Sequence, residues 1–199
     1  MSVPAPPPPR QRPAPDREIM TVEDFLALPD DPNLDRELIR GELKERPMTV
    51  RSRMHSRTEG RIVQRLNNFC DEKDIPFEAA SGEAGVILDE EKSGVGVDVV
   101  CCATEVLDAR DTTTRLIRGV PLIAVEILSE SDKIGDVADK VDLYLDAGVP
   151  LVWVVDPRHR SVAAHVAGRP VRVYSGEDTI DAAPALEDFS VPVRKLFER

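Results

Sequence analysis

Aromatic side chains are scarce in this chain: one tryptophan, two tyrosines and five phenylalanines among 199 residues. With no aromatic cluster, a surface that stacks successive unpaired bases is excluded as the main binding mode. Cysteine is rarer still. Cys70, Cys101 and Cys102 are odd in number and show no CxxC or Cys/His spacing, which argues against zinc and for reduced thiols in a cytoplasmic protein. No stretch approaches the roughly 20 consecutive apolar residues of a membrane span. The start, MSVPAPPPPRQRPAPDRE, lacks the apolar core of a secretory signal. Cations are also in deficit, with 26 Lys and Arg against 37 Asp and Glu and a net charge of −11. Arg10, Arg12 and Arg17 outnumber Asp16 and Glu18 in the opening segment, so the remainder is more acidic than the whole. Such a chain repels phosphate backbones at long range, so it is no general nucleic-acid binder, and any nucleic-acid site must be locally basic.

What is present is one domain with a tail. Residues 1–19, with seven prolines from Pro4 to Pro15, read as an extended, unfolded tail, and residues 20–199 as a single folded unit. Thr21 with Asp24 resembles a capping box that opens a short helix ending at Pro29. ELIRGELKER, Glu37–Arg46, reads as two strands turning at Gly41. The apolar spacing of Ile62, Leu66 and Phe69 predicts a long helix from Arg53 to Lys73. Strands are expected at Phe77–Ala80, Ala84–Leu88, Val95–Cys102 and Leu122–Leu128, with polar loops at Asp89–Gly94 and Asp108–Gly119. Ser131 or Asp132 should cap a helix that Gly148 ends. Pro150–Asp156, Ser161–Val166 and Val171–Tyr174 follow as strands, and ALEDFSVPVRKLF as a closing strand and helical turn. The class is α/β (α+β), a mixed β-sheet flanked by helices, with a right-handed helical crossover inside residues 95–155.

Three charged residues stand out against this pattern. Asp98 in VGVDVV and Glu126 in LIAVEILS end apolar, β-branched runs, and Lys140 sits in the amphipathic DVADKVDLYL just downstream. Burying an unpaired charge costs several kcal/mol or more, so such placement calls for a partner or a metal ion. Magnesium prefers oxygen ligands and takes one or two carboxylates. Asp98 and Glu126 would supply these, with the Ile127 carbonyl as a third ligand, and Mg2+ or Mn2+ would activate water and act as Lewis acid on a phosphodiester. The Lys140 ammonium would orient the water and offset developing charge. The plainer alternative leaves both carboxylates as strand-end caps and Lys140 as a solvated side chain.

The order of MTVEDFLAL, ELIRGEL, MHSRTEGRIVQRL, VDVV, VEILSESD, DKVDLYLDAGVPLVWVVDP and DFSVPVRKLF resembles the Uma-type putative restriction endonuclease family of bacteria, within the PD-(D/E)xK phosphodiesterase superfamily. The resemblance spans about Thr21 to Phe197. It implies a restriction-endonuclease-like mixed sheet flanked by helices and a metal-dependent, DNA-cleaving site. Asp98 then matches the aspartate of the PD motif, Glu126 the acid of the second half, Lys140 a lysine on the following helix, and Glu37 an acid ahead of the long helix. Val97 stands in place of the usual proline, and Leu128 in place of the usual strand lysine.

Other candidates keep two readings each. His55 and Glu59 lie one turn apart, facing inward with Ile62. His55 is expected either to touch phosphate or the attacking water, or to be a hydrogen-bonded histidine at the core edge. Arg53, Arg57, Arg61 and Arg65 recur every fourth residue, with Arg51 just before them. That stripe is either a phosphate contact, supplying the missing basic surface, or a solvated face. Glu83 is a fourth acid at the site or a loop charge, Trp153 belongs to core or interface, and His159 and His165 belong to the surface. Two functions compete: a magnesium-dependent endonuclease acting on DNA, and a catalytically inactive nuclease-fold module binding DNA or protein. The partner set is DNA without a membrane, and homodimer formation is left open.

Overall fold

A computed structural model describes residues 19–89, 91–108 and 116–198. The proline-rich tail and much of the expected loop at Asp108–Gly119 lie outside those residues. In chain order the elements are α1 (Val22–Leu26), β1 (Leu34–Ile39), β2 (Glu42–Pro47), α2 (Arg53–Lys73), β3 (Phe77–Asp89), β4 (Ser93–Ala103), α3 (Thr104–Asp108), β5 (Ile117–Arg118) and β6 (Ile123–Ile127). They continue with α4 (Ile134–Asp146), β7 (Leu151–Asp156), β8 (Ser161–His165), β9 (Arg172–Ser175), β10 (Thr179–Ala182), β11 (Leu186–Pro192) and a 3-10 turn at Val193–Leu196.

Among the described residues nine strands form one mixed sheet in the order β2-β1-β4-β6-β7-β8-β9, with β3 on β4 and β5 on β3. β6 and β7 are parallel, joined by α4, while β4 runs antiparallel to both β3 and β6. The two sides of the sheet carry separate cores. Ile123, Val125 and Ile127 of β6 meet Ile62, Leu66 and Cys70 of α2, and Ala124 meets Val141 and Tyr144 of α4. This is period-2 alternation in a strand covered on both faces. Trp153 is fully buried on the α2 side, tilted 45° against the Phe189 ring with centroids 6.1 Å apart.

Local chemistry sets the elements that frame the site. Ser52 accepts the His55 N–H at 3.1 Å and starts α2, and Asp74 ends it in the left-handed region at φ 51°. Arg40 and Gly41, both at positive φ, close the β1–β2 hairpin, a turn that glycine enters without strain. Three expectations need correction. The two strands around residue 82 are one, β3, whose register shifts between Ser81 and Ala84. Neither Ser131 nor Asp132 caps α4. Asp132 Oδ2 instead accepts the Ser129 N–H at 2.6 Å, closing the turn before the helix, and Lys133 occupies the cap without a side-chain bond. Third, the stretch expected as a polar loop at Asp108–Gly119 contains β5, paired with β3; β10 and α3 were likewise not anticipated, and all three are too short to show a period.

Leu66 contributes a fully buried side chain to the α2 core. Leu66→Ala should lower the unfolding free energy by about 2–5 kcal/mol, whereas the exposed Gln64→Ala should move it by less than about 0.5 kcal/mol. Chemical denaturation followed by circular dichroism measures both, and equal effects would mean that α2 does not seal this core.

Candidate active site at the fork of the sheet

β3 occupies one edge of β4 along most of its length, so β1 and β6 share the other. β6 pairs with β4 from Val99 to Cys101, and β1 pairs with it at Gly94. Asp98 lies between, where the two neighbours part. β4 also changes its facing there. Val99 and Cys101 point to the α2 core, whereas Val95 and Val97 join Val100 and Cys102 on the α4 side. The switch stands opposite the irregularity in β3, the kind of local distortion that re-aims a side chain. A cleft of about 720 Å³ opens at this fork, walled by the segment after β2 and by the start of α4.

Four charged side chains converge on the cleft and are buried: Glu37 at 3 % exposure, Asp98 at 6 %, Lys140 at 7 % and Glu126 at 9 %. The Lys140 Nζ lies 2.9 Å from Glu37 Oε1 and 2.8 Å from Glu126 Oε1, and donates to the Gly96 carbonyl at 2.8 Å. An ammonium has three N–H donors, and all three are engaged. Burial works against the Lys140 charge, but Glu126 and Glu37 outweigh it and raise the pKa above the ordinary lysine value. Lys140 is therefore a permanent cation at neutral pH and not a general base. Glu37 is shared between Lys140 and Arg46.

The two strand carboxylates have different surroundings. Burial raises the Asp98 pKa, but His55, the Ile127 N–H and Arg51 outweigh it and hold the carboxyl below its ordinary value. Ile127 N–H donates to Asp98 Oδ2 at 2.7 Å, and Arg51 stands 3.6 Å from Oδ1. Burial pushes Glu126 up to about 7, and the Asp98 charge adds to that, against the pull of Lys140 and of the Tyr144 hydroxyl, which donates to Oε1 at 2.5 Å. Tyr144, fully buried, is itself held well above the ordinary phenol value by burial and by Glu126, so it is a neutral donor.

The remaining candidates divide. His55 stands behind Asp98, buried at 2 % exposure, with Nε2 3.4 Å from Asp98 Oδ1 and Nδ1 3.8 Å from Glu59 Oε2. Among the described residues neither ring nitrogen has a hydrogen-bond partner. Its place is the floor of the site, apart from the outward arginine face. Arg53 is exposed and Arg57, Arg61 and Arg65 are half-buried, yet none of the four lines the cleft. Arg61 donates to Gln64 Oε1 at 3.0 Å, and Arg65 Nε is buried without a partner. Arg46 and Arg51 line the cleft instead. The side chain of Glu83 lies outside the described residues, and His159 is exposed beside Asp156 at 2.7 Å. Sequence reasoning missed Arg46 and Tyr144. Tyr144 had a usable signal, standing four residues after Lys140 on an amphipathic helix. Among the described residues no three His, Cys, Asp or Glu side chains group into a metal cluster, and no helix is long and apolar enough to cross a membrane.

A mixed sheet flanked by helices has a counterpart of known structure. The crystal structure of a putative nuclease belonging to DUF820 from Anabaena variabilis ATCC 29413 matches with a TM-score of 0.73. The match covers 89 % of this chain and 97 % of that one at 18 % identity, and at that identity the likeness speaks for the fold, which is nuclease-like. Residues 22–194 match the family described as Uma2, putative restriction endonuclease, and the chain belongs to that family. No curated protein matches.

Glu126 gives the site a pH signature. A carboxyl whose folded pKa lies near 7, against an ordinary 4.5, binds its proton more tightly in the native state. Its stabilising contribution is full below about pH 4.5 and is lost as pH rises through 7. The metal-free protein should therefore lose melting temperature across that window, and Glu126→Gln should remove much of the loss. Asp98, shifted downward, acts in the opposite sense and only at more acidic pH. Differential scanning fluorimetry in chelator checks this, and identical pH slopes for parent and variant would assign the titration to another group.

Proposed function

We propose that this protein is a metal-dependent endonuclease that hydrolyses DNA phosphodiester bonds. The observation that carries the reading is the convergence of Asp98, Glu126, Lys140 and Glu37 on one cleft at the sheet fork. The donor set fits a hard cation. Asp98 and Glu126 are buried oxygen donors, and magnesium needs no more than one or two carboxylates. The Ile127 N–H is turned to Asp98, and in an extended strand a residue's N–H and C=O project to the same side. Its carbonyl therefore completes the set of Asp98, Glu126 and Ile127. The elevated Glu126 pKa marks a place short of positive charge, which a dication supplies. Mg2+ or Mn2+ held there would contribute Lewis-acid stabilisation of the phosphoryl group and activation of water.

The chain's own residues do the rest. Lys140, fixed by Glu37 and Gly96, favours the ionised form of Glu126 against its burial and places a cation where negative charge develops on the phosphoryl oxygens. Glu37 holds Lys140 and needs no contact with substrate. His55 and Arg51 hold Asp98 charged from behind and from the cleft mouth. A basic run adjoins this site in an otherwise acidic chain: from Arg46 to Thr58 there are four arginines and no acid. Arg53 and Arg57 in that run, with Arg61 and Arg65 further along α2, suit phosphate contacts.

In plasmid nicking with Mg2+ or Mn2+, Lys140→Ala should cost about 10²–10³ in rate, as loss of one preorganised donor does, and Glu126→Gln should abolish activity. A parent that nicks no DNA at low salt with either metal, yet binds it, would make this an inactive binding module. Separately, Arg57→Gln with Arg61→Gln should flatten the salt dependence of DNA binding by about one unit of log–log slope per lost contact. Unchanged slopes in fluorescence anisotropy would return the stripe to solvent.

A further inference from the structure

One buried group at the site has no task in that chemistry. Tyr144 belongs to the α4 core with Val100, Ala124, Val141 and Val152, where a phenyl ring would pack as well as a phenol. Its hydroxyl reaches Glu126 Oε1 at 2.5 Å, the same oxygen that Lys140 Nζ approaches at 2.8 Å. The two donors come from one face of one helix, a single turn apart. A carboxylate oxygen has two lone pairs, so these donors saturate Oε1 and leave Oε2 as the ligating atom. One donor alone would not fix the group, because the last torsion of a glutamate is broad. A second ammonium would fix it but would repel a cation, whereas a neutral hydroxyl adds direction without charge.

We propose that Tyr144 is a positioning residue that, together with Lys140, locks the Glu126 carboxylate so that Oε2 faces the divalent cation. This rests on the reading of Glu126 as a metal ligand. Hydrogen bonds to a ligating carboxylate raise metal affinity by holding the oxygen where the ion needs it, and losing one costs about 10–100-fold.

The test is titration of the full-length protein with Mn2+, by calorimetry and by the loss of the free-ion electron paramagnetic resonance signal, without DNA. Tyr144→Phe should weaken Mn2+ binding by about 10–100-fold while circular dichroism shows it folded at the titration temperature. Val141→Ala, which disturbs the same core without touching Glu126, controls for packing: it should lower the melting temperature and leave Mn2+ affinity at the parent value. Glu126→Gln separates the two layers of the argument. If it binds Mn2+ like the parent, the metal-ligand reading fails. If it loses Mn2+ but Tyr144→Phe keeps parent affinity, or Val141→Ala weakens it as much as Tyr144→Phe, Tyr144 only packs and the proposal is overturned.

Discussion

The buried ammonium of Lys140 is the interaction on which the site depends. It bridges β1, through Glu37, to β6, through Glu126, and ties both to β4 at the Gly96 carbonyl. Removing one partner from a buried pair strands the other charge, at about 3–5 kcal/mol. The arrangement is therefore kept as a whole or lost as a whole. It also explains the unequal carboxylates. Asp98 receives an N–H and two nearby cationic or imidazole groups, whereas Glu126 shares Lys140 with Glu37.

The fork converts this charge set into a site. A continuous sheet would pair β4 along its whole edge and cover Asp98 with a neighbouring strand. Because β1 and β6 each take a different stretch of that edge, a carboxylate opens into a cleft while its strand stays bonded to β3. The register shift in β3 serves the same end, since it accompanies the change of face at Asp98. Fold and chemistry here share one cause, the parting of two strands.

Charge is segregated on a larger scale too. The chain is acidic overall, yet Arg51, Arg53 and Arg57 lie in the loop after β2 and on the first turns of α2, the same stretch that delivers Arg51 and His55 to Asp98. Two of the cleft arginines are already committed to carboxylates, Arg46 to Glu37 and Arg51 to Asp98.

Much of the fold was written locally. The apolar spacing of Ile62, Leu66 and Phe69 and the runs of β-branched residues placed α2, β4, β6 and β7, and a charged residue inside an apolar run marked Asp98, Glu126 and Lys140, because a buried charge demands a partner. Which partner it finds is not a local property. Glu37 and Lys140 are far apart in sequence, and only strand pairing brings β1 beside β4 at the mouth of the fork. Periodicity placed His55 on the inner face of α2, but packing decided that it would stand against Asp98, and that Tyr144 and Lys140 would meet at one oxygen. A sequence fixes the face on which a side chain emerges, through helical and strand periods. The distance between two such faces is set by the tertiary packing of the whole chain.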